Sequence, residues 1–318
     1  MSALAGSELQ LLATLSGLLQ TVVVPPDPLL GCGIRHERGL RGICDPADGQ
    51  LRETFSNATH LAWFGEFPWL ASVRGAPPSR ADSPLPACGG VLVHPSAVLV
   101  SAACHQEAVR GGLKLSVRLA EYRVNTETDF GRPPSDHAIR RAVYHPEFRQ
   151  DGAAATSDLG LLFLTTPASV DDDVSPVCLP WPGDTAEQLE ADWENTDCVL
   201  SGWSDPRKDS LDGVLYQNVP FVPREACQTR LRALKRLKPF SQLDDTFACG
   251  GAEQDCWADV GSALVCRHRR DRSRWVLAGM VPWGRLHDEC NELVTYINIG
   301  LFGNWIRDAI EAELSTQQ

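Results

Sequence analysis

Eleven cysteines in a chain of 318 residues place the strongest limit on what this sequence can fold into. That many thiols is unusual for a cytosolic protein and is typical of chains that form disulfides in an oxidising compartment. Paired Cys-x2-Cys spacings, which zinc frameworks use, do not occur, so we expect no metal site and no cofactor. Because the number is odd, at least one cysteine is free or bonded to another chain. The sequence therefore predicts a secreted, extracellular protein.

Charge and hydropathy exclude two further classes of protein. The formal net charge of −12 disfavours a nucleic-acid binder and general adhesion to anionic membranes. Within residues 1–24, the apolar stretch from Leu11 to Val24 is interrupted by polar residues and is too short for a membrane span. It is also a weak signal peptide, because no basic residue precedes it and Glu8 lies where positive charge is expected. A degenerate signal and a truncated N-terminus both remain open.

The rest of the chain divides into two parts by composition. Residues 25–61 contain Pro25-Pro26 and several glycines without an apolar period, which is typical of a linker or a light-chain-like segment. Residues 62–318 carry short apolar runs separated by turn residues, which predicts an all-β barrel or sandwich. At the end of the chain Ile306, Ile310 and Leu314 recur at four-residue spacing, which predicts one amphipathic helix.

Short motifs follow one another in a fixed order between about residues 62 and 310. They are Gly65-Glu66-Phe67-Pro68-Trp69, Cys88-Gly89-Gly90, Val100-Ser101-Ala102-Ala103-Cys104, Ser157-Asp158-Leu159-Gly160-Leu161-Leu162, Pro176-Val177-Cys178-Leu179-Pro180, Cys198-Val199-Leu200-Ser201-Gly202-Trp203, the loop 255–266 and Val281-Pro282-Trp283-Gly284. The ordered set resembles the trypsin- and chymotrypsin-like serine proteases. This resemblance implies an all-β, chymotrypsin-like fold of two six-stranded β-barrels with a C-terminal α-helix. Upstream, Cys32-Gly33-Ile34-Arg35-His36 resembles arthropod clip-domain serine protease homologues, although their six-cysteine clip module does not occur in this sequence.

The resemblance assigns two of the three catalytic positions of the family to residues that cannot perform their step. Such proteases use a histidine as general base, an aspartate to orient it and a serine as nucleophile. Ala103 stands at the histidine position, Asp158 at the aspartate and Val260 at the serine, so we expect no enzyme activity. Two alternatives keep some chemistry, with His105 serving as the base in a shifted alignment or Ser262 as the nucleophile of a residual hydrolase.

By the same resemblance, the partners of Asp158 and the substrate pocket are altered. Pro282 replaces the serine that normally contacts this aspartate, so we expect Asp158 to be hydrated or newly paired. The pocket positions are Gln254, Pro282, Trp283, Gly284 and Val294, with Trp257 at the rim, and together they predict a narrowed cleft. The zymogen-cleavage position is occupied by Phe55 and the segment 56–59, which lack the basic residue and the inserting sequence. Asn57 within this segment begins an N-glycosylation sequon.

The resemblance also implies a disulfide pattern. The expected pairs are Cys88–Cys104, Cys198–Cys266, Cys227–Cys249 and Cys256–Cys290. Cys178 is expected to bond Cys32 or Cys44, and the context of Cys32 favours it. Cys44 would then be the odd cysteine.

Two basic clusters interrupt the acidic background. The first cluster consists of Arg230, Arg232, Lys235, Arg236 and Lys238, and the second consists of Arg267, His268, Arg269, Arg270, Arg272 and Arg274. Each is either a solvated face or a docking surface for an acidic protein or a sulfated glycan.

Taken together, the resemblance implies a secreted, catalytically inactive serine protease homologue that acts by binding. Its role would be that of a cofactor in an extracellular proteolytic cascade, such as prophenoloxidase activation and melanisation in arthropod innate immunity. The partners would be a protease or prophenoloxidase. An adhesion or pattern-recognition protein on the same scaffold is the alternative.

Overall fold

The computed structural model describes residues 31–40, 60–80, 84–124, 129, 132–152, 154–203, 213–251, 259–282 and 293–316. All of these belong to one compact unit that extends from Gly31 to Gln318. The apolar segment at 1–24, Cys44 and the Asn57 sequon lie outside the described residues, as does most of the segment 25–61. No helix among the described residues is long and apolar enough to cross a membrane.

Six strands of the first half of the chain form a closed antiparallel barrel. The strands of this half are β1 (Leu70–Ala76), β2 (Leu85–His94), β3 (Ala97–Val100), β4 (Lys114–Leu119), β5 (Ser135–Tyr144), β6 (Arg149–Asp151), β7 (Ala154–Thr156) and β8 (Gly160–Leu164). The barrel order is β1-β2-β3-β8-β5-β4, and β6 pairs with β7 in a separate hairpin. The strands β3 and β8 are apolar along their whole length and are completely buried, so the hydrophobic core lies inside the closed sheet.

A second six-stranded antiparallel sheet is built from the later half of the chain. Its strands are β9 (Cys198–Trp203), β10 (Val214–Asn218), β11 (Phe247–Gly251), β12 (Ala263–Arg267), β13 (Trp275–Met280) and β14 (Leu293–Asn298). They pair in the order β10-β9-β12-β13-β14-β11. A bridge between Phe221, just after β10, and Gly250 of β11 brings the two edges together. The predicted chymotrypsin-like pair of six-stranded, barrel-like sheets is confirmed.

The described helices are α1 (Ala102–Arg110), α2 (Ala186–Asn195), α3 (Arg224–Ala233) and α4 (Gly303–Ser315). The predicted C-terminal helix is confirmed by α4, which buries Ile306 and Ile310. It also buries Glu313, whose carboxylate pairs with Arg140 and Arg141 of β5. The last helix of the chain is therefore bound to the first barrel by charge as well as by apolar contact.

Four disulfides connect the described parts of the molecule. They are Cys32–Cys178, Cys88–Cys104, Cys198–Cys266 and Cys227–Cys249. These are the pairings that the resemblance implies, with Cys32 as the partner of Cys178. The fifth expected pair, Cys256–Cys290, lies outside the described residues.

The N-terminal described segment, 31–40, is bound tightly to the body of the protein. Gly33 donates a backbone hydrogen bond to Pro176 and accepts one from Trp275, on either side of the Cys32–Cys178 disulfide. Its φ of +66° and the 2.3 Å that would separate a Cβ from the Trp275 carbonyl oxygen leave room only for glycine. The glycine of the Cys-Gly-Ile-Arg motif is therefore required by close backbone packing.

Arg35 anchors the same segment from within an aromatic cluster. Its guanidinium lies 4.7 Å from the centroid of the Phe67 ring and 4.9 Å from that of Trp275. The guanidinium Nε donates to the Glu66 carboxylate at 2.9 Å, and the second carboxylate oxygen accepts the Trp63 backbone N–H. Burial raises the pKa of Glu66, while Arg35 and the Trp63 N–H act to lower it. The ion pair therefore offsets part of the desolvation cost of burying the Glu66 carboxylate.

Candidate functional site

Asp158 is held at the N-terminus of helix α1. It lies between β7 and β8, is completely buried, and follows Ser157, whose φ of +46° is in the left-handed region. One carboxylate oxygen accepts the Ser101 hydroxyl and the other accepts the Ala103 backbone N–H, each at 2.7 Å. Ser101 is also the N-cap of α1, and its Oγ accepts the Cys104 N–H at 3.1 Å. Both carboxylate oxygens of Asp158 therefore have hydrogen-bond donors within the protein, at a helix N-terminus that favours an anion.

The residue at the histidine position offers Asp158 only its backbone. Ala103 is completely buried and its side chain is a methyl group. His105 points to another neighbour, because its Nδ1 lies 2.7 Å from the Tyr144 hydroxyl and its ring packs against the Tyr144 ring. Burial lowers the pKa of His105. The shifted alignment, in which His105 serves Asp158, therefore has no support in the described contacts.

The loop that carries Val260 lies on strand β2, next to the Cys88–Cys104 disulfide. Gly89 donates its N–H to the Val260 carbonyl oxygen at 3.0 Å, and Val260 packs against the main core. Gly261 has a φ of +87°, and a Cβ there would lie 2.1 Å from the Gly89 carbonyl oxygen. Asp158 thus contacts the backbone of Ala103, and the neighbouring Cys104 is joined by the disulfide to Cys88, which precedes the Gly89 that contacts Val260. The three predicted positions therefore belong to one connected part of the fold.

Ser262 is buried directly before strand β12. Its N–H donates to the Asp259 carbonyl, its carbonyl accepts the Val281 N–H, and it is only 3 % exposed. Within the described part of the chain, its hydroxyl has no hydrogen bond to a histidine or a carboxylate. A nucleophilic serine needs a base within hydrogen-bond reach, so this geometry does not favour Ser262 as a nucleophile.

Two of the predicted pocket residues lie in described positions. Val294 is completely buried in β14 opposite Gly250, within a cluster that includes Trp193 and Tyr296. Pro282 is buried directly after Val281. Gln254, Trp257, Trp283 and Gly284 lie outside the described residues, so a narrowed cleft stays a prediction.

The second basic cluster is largely neutralised inside the molecule. Arg267 pairs with Glu37 and with Asp197, and Arg269 pairs with Asp184 and Asp192. In addition, Arg270 lies over the Trp181 ring and Arg274 donates to the Cys32 carbonyl at 2.8 Å. Most cations of this cluster therefore support the fold, and two of them bind the segment 31–40.

Sequence reasoning missed Ser101 and Tyr144 as members of the site. A serine directly before a helical run is an N-cap signal, so the role of Ser101 at α1 was accessible from the sequence. Its second bond, to a residue 57 positions away, depends on the barrel. No local signal relates Tyr144 to His105, because β5 reaches α1 only through the fold.

A closed six-stranded barrel and a second, barrel-like six-stranded sheet are the fold of trypsin-like serine proteases and their homologues. The aspartate at a helix N-terminus and the short glycine-bearing loop agree with this class. A sequence model of the trypsin family matches residues 58–306. The chain therefore belongs to the trypsin family.

Three similar proteins come from two insects and a mouse. The chain is 30 % identical to phenoloxidase-activating factor 2 of Galleria mellonella over 91 % of this chain and 93 % of that protein. It is 28 % identical to inactive CLIP domain-containing serine protease A8 of Anopheles gambiae, over 89 % of this chain and 72 % of that protein. It is also 28 % identical to mouse vitamin K-dependent protein C, over 77 % of this chain and 50 % of that protein.

We expect Asp158 to stabilise the fold. Replacing it in Asp158→Ala leaves the buried Ser101 hydroxyl and Ala103 N–H without their acceptor, at a cost of about 3 kcal/mol in the free energy of unfolding. Asp158→Asn keeps one acceptor oxygen, so it should lower the free energy of unfolding clearly less than Asp158→Ala does. Urea unfolding of the three proteins with intact disulfides measures the difference. Equal midpoints for Asp158→Ala and the natural protein would contradict a stabilising role.

Proposed function

We propose that this chain is a secreted, catalytically inactive serine protease homologue that acts by binding, as a cofactor in an extracellular proteolytic cascade. One observation carries the proposal. The Asp158 carboxylate is occupied by Ser101 and by the backbone of Ala103, while the adjoining loop presents Val260. Neither alanine nor valine can take up a proton or attack a carbonyl carbon, so the assembled site lacks both the base and the nucleophile.

The disulfides and the relatives support the extracellular part of the proposal. Four described disulfides are typical of proteins that fold in an oxidising compartment. The names of two relatives refer to phenoloxidase activation and to an inactive protease. We therefore place this chain in prophenoloxidase activation and melanisation, with prophenoloxidase or its activating protease as partner. Glycosylation at Asn57 belongs to the same proposal, and so does an odd cysteine at Cys44 that is either free or bonded to another chain.

Reconstitution of the cascade tests this function. Purified, disulfide-intact protein is added to prophenoloxidase and its activating protease, and phenoloxidase activity is measured with a catechol substrate. We expect the activity to rise with the concentration of this protein and to stay at background when the activating protease is left out. The matched variant Val260→Ala should act like the natural protein, because Val260 is assigned no chemistry.

Two results would contradict the proposal. Hydrolysis of peptide substrates by this protein alone would show that it is an enzyme. Unchanged phenoloxidase activity, together with binding to microbial polysaccharides, would favour the adhesion or pattern-recognition function.

A further inference from the structure

Helix α3 and the segment that follows it form a well-anchored surface element. The Cys227–Cys249 disulfide joins α3 to β11. The Gln228 side chain accepts the Leu243 N–H at 3.0 Å, and Arg232 donates to the Ser241 carbonyl at 2.8 Å. The residues after the helix are thus tied back to it, and this segment presents a defined surface to the solvent.

The first basic cluster divides into inward and outward cations on this element. Arg232 and Arg236 are half-buried and donate to the backbone carbonyls of Ser241 and Leu293. Arg230, Lys235 and Lys238 are exposed, and within the described part of the chain they form no ion pair. These three cations are therefore unpaired among the described residues of a protein whose net charge is −12, in contrast to the largely paired second cluster.

Apolar side chains accompany these cations. Phe240 is fully exposed, and Leu234 is 37 % exposed at the end of α3. Aromatic and arginine side chains are enriched in protein interfaces, where they provide most of the binding energy. A sulfated glycan would gain from the cations but little from a phenylalanine, so the combination favours a protein partner.

We propose that Arg230, Leu234, Lys235, Lys238 and Phe240, called here the α3 surface, bind an acidic segment of a partner protein that also contributes an apolar side chain. This inference rests on the proposed function as a binding protein and names the chemistry of the partner. The cations supply long-range attraction and orientation, and burial of the Phe240 ring supplies contact that is independent of salt.

An array of short synthetic peptides, in which acidic and apolar content vary independently, tests the α3 surface directly. We expect binding only to peptides that are both acidic and apolar. The triple variant Arg230→Glu, Lys235→Glu, Lys238→Glu should lose at least about tenfold in affinity, since charge reversal replaces attraction by repulsion. Phe240→Ala should lose affinity for the peptides by a similar factor, while the salt dependence of its binding stays like that of the natural protein.

The matched control reverses three other exposed cations, in Arg80→Glu, Lys114→Glu, Arg272→Glu. It changes the net charge by the same amount and should bind the peptides like the natural protein. Equal losses in both triple variants would reduce the effect to net charge and overturn the proposal. Binding of heparin fragments that is unaffected by Phe240→Ala, without peptide binding, would assign the surface to a sulfated glycan and overturn it as well.

The phenoloxidase reconstitution separates this inference from the proposed function. If the charge-reversed α3 variant augments phenoloxidase activity fully, the α3 surface is not the docking site and the cofactor function stands. If the natural protein itself does not augment the activity, the cofactor function fails, and the peptide array still decides whether the α3 surface binds acidic, apolar segments.

Discussion

Arg35→Ala is expected to lower the free energy of unfolding by about 3–5 kcal/mol, the usual cost of removing one partner from a buried ion pair. The Glu66 side chain is only 2 % exposed and that of Arg35 11 %. Without the guanidinium, the carboxylate retains the Trp63 N–H but loses its counter-charge, and the Phe67 and Trp275 rings lose the group packed between them. Denaturant unfolding with intact disulfides measures the loss.

The pH dependence identifies the cause of that loss. The Glu66 pKa is already raised in the folded protein, and removal of Arg35 takes away a contribution that lowers it. A raised folded-state pKa means that stability falls as the pH increases from the ordinary carboxyl value through the raised one. The deficit of Arg35→Ala should therefore shrink below about pH 4.5, where the carboxyl is protonated in both states. A deficit that does not change with pH would assign the effect to the aromatic contacts.

A double variant distinguishes the cost of an unpaired buried charge from the cost of losing the specific contacts of Arg35. Arg35→Met combined with Glu66→Gln removes both charges but keeps similar volumes, and it should recover much of the stability that Arg35→Ala loses. An equal loss in the double variant would show that the arginine acts through its specific hydrogen bonds and ring contacts.

The fold was accessible from the sequence because its markers are local and ordered. Each marker identifies one secondary-structure element. The markers are the short apolar runs, the Cys-Gly-Gly and Asp-Leu-Gly-Leu-Leu motifs, and the four-residue spacing of Ile306 and Ile310. Since the family motifs include cysteines, they also implied the four described disulfides. Pairings of this kind follow from the resemblance, because spacing alone leaves many connectivities open.

The contacts that decide function were less accessible, because they join residues far apart in the chain. The sequence marked Arg35 only as part of a motif, and its carboxylate partner is 31 positions away. The two basic clusters have similar composition, yet Arg269 of the second is neutralised by Asp184 and Asp192, more than 70 positions earlier. Net charge in a window of sequence cannot show which cations the fold has already paired.

The assembled site leads to the largest expected effect on activity, measured with a fluorophosphonate probe for nucleophilic serines. Neither the natural protein nor Ser262→Ala should be labelled. Peptide turnover should lie on the order of 10^6-fold below that of an active trypsin-family protease, as expected when base or nucleophile is absent. Labelling of the natural protein that disappears in Ser262→Ala would show that Ser262 is a nucleophile and would overturn the inactive assignment.

The double variant Ala103→His, Val260→Ser shows how much of a catalytic site the scaffold retains. Asp158 already lies beside position 103. Each of its oxygens accepts one described hydrogen bond, and a carboxylate oxygen can accept a second, so a returned imidazole could use Asp158 as its orienting partner. The imidazole must, however, enter a position that is completely buried around a methyl group, and such overpacking costs about 1–3 kcal/mol. We therefore expect labelling to return at a rate well below that of an active protease. Ala103→His alone, which lacks the nucleophile, should stay unlabelled.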